Sequence, residues 1–214
     1  QTGLPVQMRY NMPMEILYTV IPLILVVGLF AFTARDQSVI ETQYDEPDVC
    51  ITAIGKQWAW DFQYAQSDCE DASNAVYTMG VQAQTDERGD IINEIPKLVL
   101  PVGKEVKIKL VSRDVIHSFW IIDFLYKKDM YIGKDNYMSF VPTREGEFVG
   151  KCAELCGQYH SMMLFDVEVV SEAEYETYIE SLRAQGQTGD INDVYDRLQN
   201  LPGTDGTATA EGDH

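Results

Sequence analysis

The sequence is poor in the residues that bind metals and in basic residues. It has three histidines and four cysteines in 214 residues, and it has no C-x-x-C-H motif that would attach a c-type haem. Lysine and arginine number 16 against 34 acidic residues, which gives a net charge of −18. This balance excludes a nucleic-acid binder and a protein held by anionic lipids, and it suits a basic protein partner.

The chain also lacks an initiator methionine and the basic, apolar and small-residue regions of a signal peptide. We therefore expect a fragment or a processed product. Residues 16–34 carry no formal charge and are mostly Ile, Leu, Val and Phe, which is enough to cross about 30 Å of hydrocarbon. The sequence predicts one transmembrane helix over residues 14–36. Residues 1–13 are expected in the cytoplasm, because Arg9 precedes the helix and the acidic bulk of the chain follows it.

Apolar and polar residues alternate with a period of two after the apolar run, as they do in half-buried β-strands. The alternation is clearest in residues 105–110 and 163–169. Shorter strands are predicted at residues 49–54, 58–64, 117–122 and 138–141. Glycine, proline, asparagine and aspartate separate these runs, and the spacing is typical of an all-β Greek-key sandwich.

The C-terminal part of the sequence predicts helix and then disorder. Ser171 and Glu174 have the spacing of a capping box, and apolar residues follow at helical intervals. We expect a C-terminal helical segment over residues 172–201, with its second helix at residues 190–201. Residues 202–214 are predicted to be a disordered tail.

The cysteine segment, residues 151–163, concentrates the soft metal ligands of the chain. It contains two thiols, an imidazole and a thioether: Cys152, Cys156, His160 and Met163. Thioether ligation favours copper over zinc. The two cysteines alone also allow a local disulfide or half of a zinc site. His117 is the other usable imidazole, although a lone histidine in an apolar strand is more often a core residue.

This segment, together with Asp114-Val-x-His117-Ser upstream, resembles the dinuclear copper (CuA) signature of the cytochrome c oxidase subunit II family. The resemblance extends from the apolar helix to about Val170 and implies a cupredoxin domain over residues 37–171. It also implies two copper ions, a number that the spacing alone does not give. The ligands that it implies are the bridging Cys152 and Cys156, then His117, His160, Met163 and the backbone carbonyl of Glu154.

The resemblance implies further roles and partners. The Glu154 side chain is expected to bind a magnesium ion shared with subunit I, Glu15 to lie near a proton intake route, and Trp58 to receive the electron. The expected partners are oxidase subunit I, other oxidase subunits, a c-type cytochrome or cytochrome-containing complex, and the lipid bilayer of a bacterial cell membrane. The family has two transmembrane helices, so the first is expected to be absent from this chain.

The function implied is electron transfer within a membrane cytochrome c oxidase. Electrons would pass from the cytochrome through the copper centre to haem in subunit I, where oxygen is reduced with proton pumping. Two alternatives are the copper domain of a nitrous oxide or nitric oxide reductase, and a metal-free structural subunit like that of a quinol oxidase. The apolar helix that follows Glu15 favours the oxidase over the reductase, and the two cysteines of the segment argue against the structural subunit.

Two further expectations concern the residues around the tryptophans. Cys50 and Cys69 have no place in the copper motif, and a disulfide between them is predicted because the domain is expected in an oxidising compartment. The alternative is a buried Cys50 and an exposed Cys69 thiol. An acidic group follows Trp58 in the sequence and is expected beside it, either to steer a basic cytochrome or only as solvated charge. Its members are Asp61, Asp68, Glu70 and Asp71.

Overall fold

A computed structural model describes Gly3, Pro5 and residues 7–195 of the chain. The chain divides into two units, residues 1–42 and residues 43–214. The predicted tail at residues 202–214 lies outside the described residues, and so does most of the helix predicted at residues 190–201. The described part of that helix forms only a 3₁₀ turn at Ile191–Asp193.

The first unit contains one long helix, α1, at Met12–Ile40. Asn11 caps it, because its side-chain oxygen accepts the Met14 N–H at 3.3 Å. The helix is long and apolar enough to cross a membrane, with a mean hydropathy of 2.4 over an 18-residue stretch and no buried side chain. It extends beyond residues 14–36 at both ends, since charged residues such as Arg35 and Asp36 limit a hydrocarbon span but not a helix.

The second unit is a β-sandwich of two five-stranded sheets. Its strands, in chain order, are β1 Val49–Lys56, β2 Ala59–Ala65, β3 Val76–Met79, β4 Lys97–Pro101, β5 Val106–Ser112, β6 His117–Ile121, β7 Tyr126–Met130, β8 Asn136–Phe140, β9 Gly146–Cys152 and β10 Leu164–Val170. One sheet has the order β3-β2-β1-β5-β8 and the other β4-β10-β9-β6-β7. The predicted sandwich is confirmed.

The alternation in the sequence matches the burial of the strands. Every second side chain of β5 is buried, and β10 repeats the pattern. The strand predicted at residues 58–64 begins at Ala59 instead, because Trp58 belongs to the tight turn between β1 and β2. The Gln57–Trp58 peptide bond in this turn is cis.

Aromatic side chains fill the space between the sheets beside the cysteine segment. Phe119 and Phe165 stack with ring centroids 5.0 Å apart, and Trp60 meets Phe165 edge-on at 5.1 Å. All three side chains are fully buried. Large interlocking rings of this kind contribute strongly to core packing, and here they join the two sheets next to the start of β10.

The C-terminal helix and the disulfide are both confirmed. The helix α2, Glu172–Ala184, begins with the expected capping box, in which Ser171 and Glu174 bond each other's backbone N–H groups. At the start of β1, Cys50 is bonded to Cys69 with their Cα atoms 5.2 Å apart. This disulfide ties the loop after β2 to the first residues of β1.

Candidate metal centre

His117 is held at the start of β6 by close packing against a glycine and by a carboxylate. It is the first residue of β6 and is fully buried. Its ring lies against Gly55, where an added Cβ would be 3.0 Å from the His117 Cδ2 atom. Its Nε2 is 2.8 Å from Oδ1 of Asp114. Because that bond occupies Nε2, the imidazole presents Nδ1 to the cysteines.

The cysteine segment leaves the sandwich at the end of β9 and returns at the start of β10. The Cys152 N–H donates to the Met163 carbonyl at 3.0 Å, so the two ends of the segment are joined. The Ala153 N–H donates to the Ser118 carbonyl at 3.0 Å, which ties the segment to β6. A 3₁₀ turn at His160–Met162 then directs His160 back toward the cysteines.

Six donor atoms converge in this region. The Cys152 Sγ is 3.7 Å from the His117 Nδ1, and the Cys156 Sγ is 3.4 Å from the His160 Nδ1. The Met163 Sδ lies 3.8 Å from the Cys156 Sγ, and the Glu154 carbonyl lies 3.2 Å from the Cys152 Sγ. The donor atoms of His117, Cys152 and Cys156 all lie within 4.8 Å of one another. The structure therefore gathers every residue that the sequence places in the ligand set.

The chemistry of these donors fits copper. Both cysteines are free thiols and buried, so they can act as thiolate ligands. Two thiols and two imidazoles would also suit zinc, but the buried thioether of Met163 and the extra carbonyl exceed what a closed tetrahedral zinc site uses. Glu154 takes part through its backbone, and its exposed side chain is the part left for another ion.

The protonation of the metal-free site already favours a thiolate. The hydrogen bond from Cys156 lowers the pKa of Cys152 to about 3, and the same pairing raises the pKa of the Cys156 thiol. Burial favours a neutral imidazole, but the hydrogen bonds to Asp114 and Cys152 raise the pKa of His117 above its usual value. The direction of these shifts favours proton loss from Cys152, and the thiolate is the form in which a cysteine binds a metal.

Asp114 is a site residue that the sequence analysis left without a role. Its Oδ1 bonds the His117 Nε2, and Oδ1 and Oδ2 accept the backbone N–H groups of Val115 at 2.7 Å and Gln57 at 2.6 Å. Burial favours the neutral carboxyl, yet the bond with His117 and these N–H groups lower the pKa of Asp114. A carboxylate behind a ligand histidine fixes its tautomer and orientation. The three-residue spacing from His117 was the available signal.

The two tryptophans have different environments. Trp58 is half-buried in the turn, with its Nε1 donating to the Cys156 carbonyl at 3.2 Å and its ring 5.0 Å from that of Tyr159. Trp60 is fully buried, and its Nε1 donates to the Met163 carbonyl at 3.2 Å. The two side chains differ in exposure because the chain turns at Trp58 before β2 begins.

The prediction that an acidic group lies beside Trp58 is wrong. Asp61 is fully buried and pairs with the equally buried Lys56 at 2.6 Å. Asp68 and Asp71 follow the far end of β2, which has seven residues and spans roughly 20 Å at about 3.3 Å per residue. The disulfide and the ion pair from Glu70 to Lys109, at 2.6 Å, hold this loop there.

Glu15 lies in the first turn of α1, in the first unit of the chain. Its Oε1 accepts the Asn11 N–H at 3.0 Å. This contact satisfies a backbone donor at the helix N-terminus, where negative charge is favourable. The position of Glu15 in the helix therefore has a structural explanation, and its place on a proton route stays a prediction.

Comparison with known proteins identifies relatives along most of the chain. A protein-family model described as the periplasmic domain of cytochrome c oxidase subunit II matches residues 49–170. A probable cytochrome c oxidase subunit 2 of Streptomyces avermitilis is 43% identical over 208 residues, and the subunit 2 of Corynebacterium glutamicum is 32% identical over 213. These alignments cover 86% and 82% of this chain, but only 65% and 59% of the relatives' length.

Solved structures give the same result for the β-sandwich. The periplasmic domain of subunit II of the Bradyrhizobium japonicum cytochrome oxidase is 30% identical, with a TM-score of 0.54 over 65% of this chain and 96% of that domain. A mixed disulfide intermediate of subunit II with a thioredoxin-like protein matches at 29% identity and a TM-score of 0.52. It covers 68% of this chain and 97% of that one. The residues matched by the family model, 49–170, include the candidate metal centre.

Proposed function

Because the chain belongs to the cytochrome c oxidase subunit II family, we propose that it is the electron-transfer subunit of a bacterial membrane cytochrome c oxidase. In this role it takes electrons from a c-type cytochrome, or from a complex that contains one, and passes them to haem in subunit I. Oxygen is reduced to water in that partner chain, with proton pumping.

The observation that carries this proposal is the convergence of six donor atoms, two of which are the sulfurs of free cysteines. Cys152 and Cys156 would hold two copper ions as shared thiolates, together with His117 and His160. Met163 and the Glu154 carbonyl would contribute weaker contacts. A copper centre held by these residues would supply a one-electron redox site.

The protein's contribution is to hold these donors in place. The two ends of the cysteine segment are bonded to each other and to β6, and Asp114 fixes the His117 ring. Cys152, Cys156, His117 and Met163 are buried, so little water has to reorganise when charge arrives. Ligands that move little keep the reorganisation small, and small reorganisation favours fast electron transfer.

We assign Trp58 as the residue that receives the electron. Its indole is partly exposed and its N–H is bonded directly to the Cys156 carbonyl. This contact gives a short route of covalent and hydrogen bonds from the surface to the Cys156 thiolate. Trp60 is fully buried in the core, so it has no surface on which a donor protein could dock.

Two further assignments rest on the family. The exposed carboxylate of Glu154 is proposed to bind magnesium at the contact with subunit I. One carboxylate holds magnesium weakly, so the partner chain would supply further ligands. Glu15, which accepts the Asn11 N–H in the first turn of α1, is proposed to lie beside a proton intake route in subunit I.

We place the β-sandwich on the extracytoplasmic side of the membrane, anchored by α1 in the bilayer. The disulfide between Cys50 and Cys69 supports this side, because disulfides persist in oxidising compartments. Other oxidase subunits complete the assembly around subunit I.

The proposed donor is tested with the full chain in detergent, loaded with copper and mixed with a reduced c-type cytochrome. The oxidation of the cytochrome is followed by the loss of its reduced absorption band. We expect the copper-loaded chain to oxidise the cytochrome and the metal-free chain to leave it reduced. A fully copper-loaded chain that leaves basic cytochromes reduced would contradict the proposed donor.

A further inference from the structure

Gln57 bonds both halves of the candidate metal centre, although it belongs to neither. It lies in the turn between β1 and β2 and is half-buried. Its backbone N–H donates to the Asp114 Oδ2 at 2.6 Å, on the side of the site that holds His117. Its side-chain Nε2 donates to the Cys156 carbonyl at 2.8 Å, on the side that holds the cysteine segment.

The close packing at Cys156 supports a specific contact. Gly157 has a φ of +120°, and a Cβ added there would lie 3.2 Å from the Gln57 Nε2. The amide of Gln57 therefore lies directly on the Cys156–Gly157 peptide. A side chain at position 157 would push against it, and only glycine adopts this backbone conformation without strain.

The turn that carries Gln57 is held in place by a buried ion pair at its first end. The preceding residue, Lys56, forms a fully buried ion pair with Asp61 at 2.6 Å, and Asp61 also accepts the Gly80 N–H at 3.0 Å. Trp58 also donates to the Cys156 carbonyl, at 3.2 Å. Of these two donors, only Gln57 also bonds Asp114 within the described part of the chain. A side chain can position another group only when it is itself held rigidly, and the buried ion pair holds the Gln57 turn in this way.

We propose that Gln57 is a positioning residue that fixes the Cys156 side of the copper site relative to the His117 side. The inference rests on the proposed function, because it concerns the residues assigned as copper ligands. Within the described residues, the hydrogen bonds of Gln57 go to Asp114 and to the Cys156 backbone rather than to a ligand side chain. It acts through the Asp114 carboxylate and through the carbonyl of Cys156, which together set how far the two thiol–imidazole pairs stand apart.

The test compares three variants of the full chain in detergent, each loaded with copper and then exposed to a copper chelator. Gln57→Met keeps the length of the side chain and removes the donor, so it should release copper roughly tenfold faster, as changes behind a metal ligand do. Its electron paramagnetic resonance spectrum should also show altered copper hyperfine splitting. Gln57→Lys retains a donor on a long side chain and should stay close to the wild-type release rate.

Gln63→Met is the matched control for a general loss of stability. Gln63 is a buried glutamine on β2 whose Oε1 accepts the Ile191 N–H at 2.8 Å, away from the cysteine segment. This variant also loses one buried hydrogen bond, and it should keep the wild-type release rate and spectrum. Equal copper release from Gln57→Met and Gln63→Met would overturn the positioning role. So would release from Gln57→Lys as fast as from Gln57→Met.

A measurement on the metal-free chain separates this inference from the proposed function. In Gln57→Met, the backbone amides of residues 153–163 should exchange with deuterium roughly fivefold faster, which is the effect of losing one net hydrogen bond. Unchanged exchange in that segment overturns the inference whether or not copper binds. Failure of the wild-type chain to take up copper would instead count against the proposed function.

Discussion

At the scale of single residues, the two free cysteines carry the proposed copper chemistry. Replacing Cys152 or Cys156 by serine should abolish the dinuclear centre, because an alcohol stays protonated and does not bridge as a thiolate does. Copper content and the visible spectrum of the purified chain provide the measurement. The matched control is the double change Cys50→Ser with Cys69→Ser, which also replaces cysteine by serine but at the disulfide, and it should keep copper. Two coppers and an unchanged spectrum in either single variant would refute the bridging role.

Trp58 provides the second residue-scale prediction. Trp58→Ala should keep the copper content, because Gln57 still donates to the Cys156 carbonyl. Electron delivery from the cytochrome should fall severely, since the exposed end of the route is lost. The rate of cytochrome oxidation by the copper-loaded chain measures this.

Trp120→Ala is the control for Trp58→Ala. Trp120 is also half-buried, but it lies on β6 between Lys127 and Lys151, whose ammonium groups are 5.7 Å and 5.2 Å from its ring. The rate should be unchanged in this variant. Normal cytochrome oxidation by a fully loaded Trp58→Ala chain would show that electrons arrive elsewhere.

The ligand residues could be predicted from the sequence because five of the six lie in one short segment with fixed spacing. Asp114 had a local signal, its three-residue spacing from His117. Gln57 could not be given its role, because its bonds join parts of the chain that are distant in sequence. Gln57 and Cys156 are separated by 99 positions. Only the fold brings the turn after β1 to the loop after β9.

At the scale of structural elements, the disulfide makes a separable contribution to stability. The double change Cys50→Ser with Cys69→Ser opens a loop with a sequence separation of 19. The free energy of unfolding should fall by up to about 3 kcal/mol in the chain-entropy model. Denaturant unfolding of the metal-free chain measures the change, and no loss of stability would contradict it. Copper binding should persist, because β2 separates the disulfide from the cysteine segment.

The strands and helices could be predicted where one periodicity holds over several residues. The period of two in β5 and β10 and the capping box of α2 are examples. The start of β2 could not be predicted at Trp58. The sequence looks the same whether this tryptophan is the first residue of the strand or the last residue of the turn. The strand propensity of tryptophan favoured the wrong choice.

At the scale of the whole molecule, the distribution of acidic residues decides where a basic partner would dock. The loop of residues 81–95 lies against the cysteine segment, since the Ala83 N–H donates to the Met162 carbonyl at 3.3 Å. It carries the exposed Glu87 and Glu94. The sequence could not reveal this, because the loops that meet at one end of a sandwich depend on the order of its strands.

Neutralising acidic residues tests whether a basic partner docks beside the cysteine segment. The pair Glu87→Gln with Glu94→Gln should slow cytochrome oxidation at low salt and weaken its salt dependence, because charges within about 10 Å of the docking site steer a basic partner. The pair Asp68→Asn with Asp71→Asn changes the same net charge at the far loop and should have little effect. A larger effect from the far pair would contradict docking beside the cysteine segment.

The copper centre itself is tested most directly by metal analysis and electron paramagnetic resonance of the full chain loaded with copper. We expect two copper ions per chain and a mixed-valence signal whose hyperfine splitting is shared by both nuclei. One zinc ion per chain and a colourless protein would contradict the proposed copper centre.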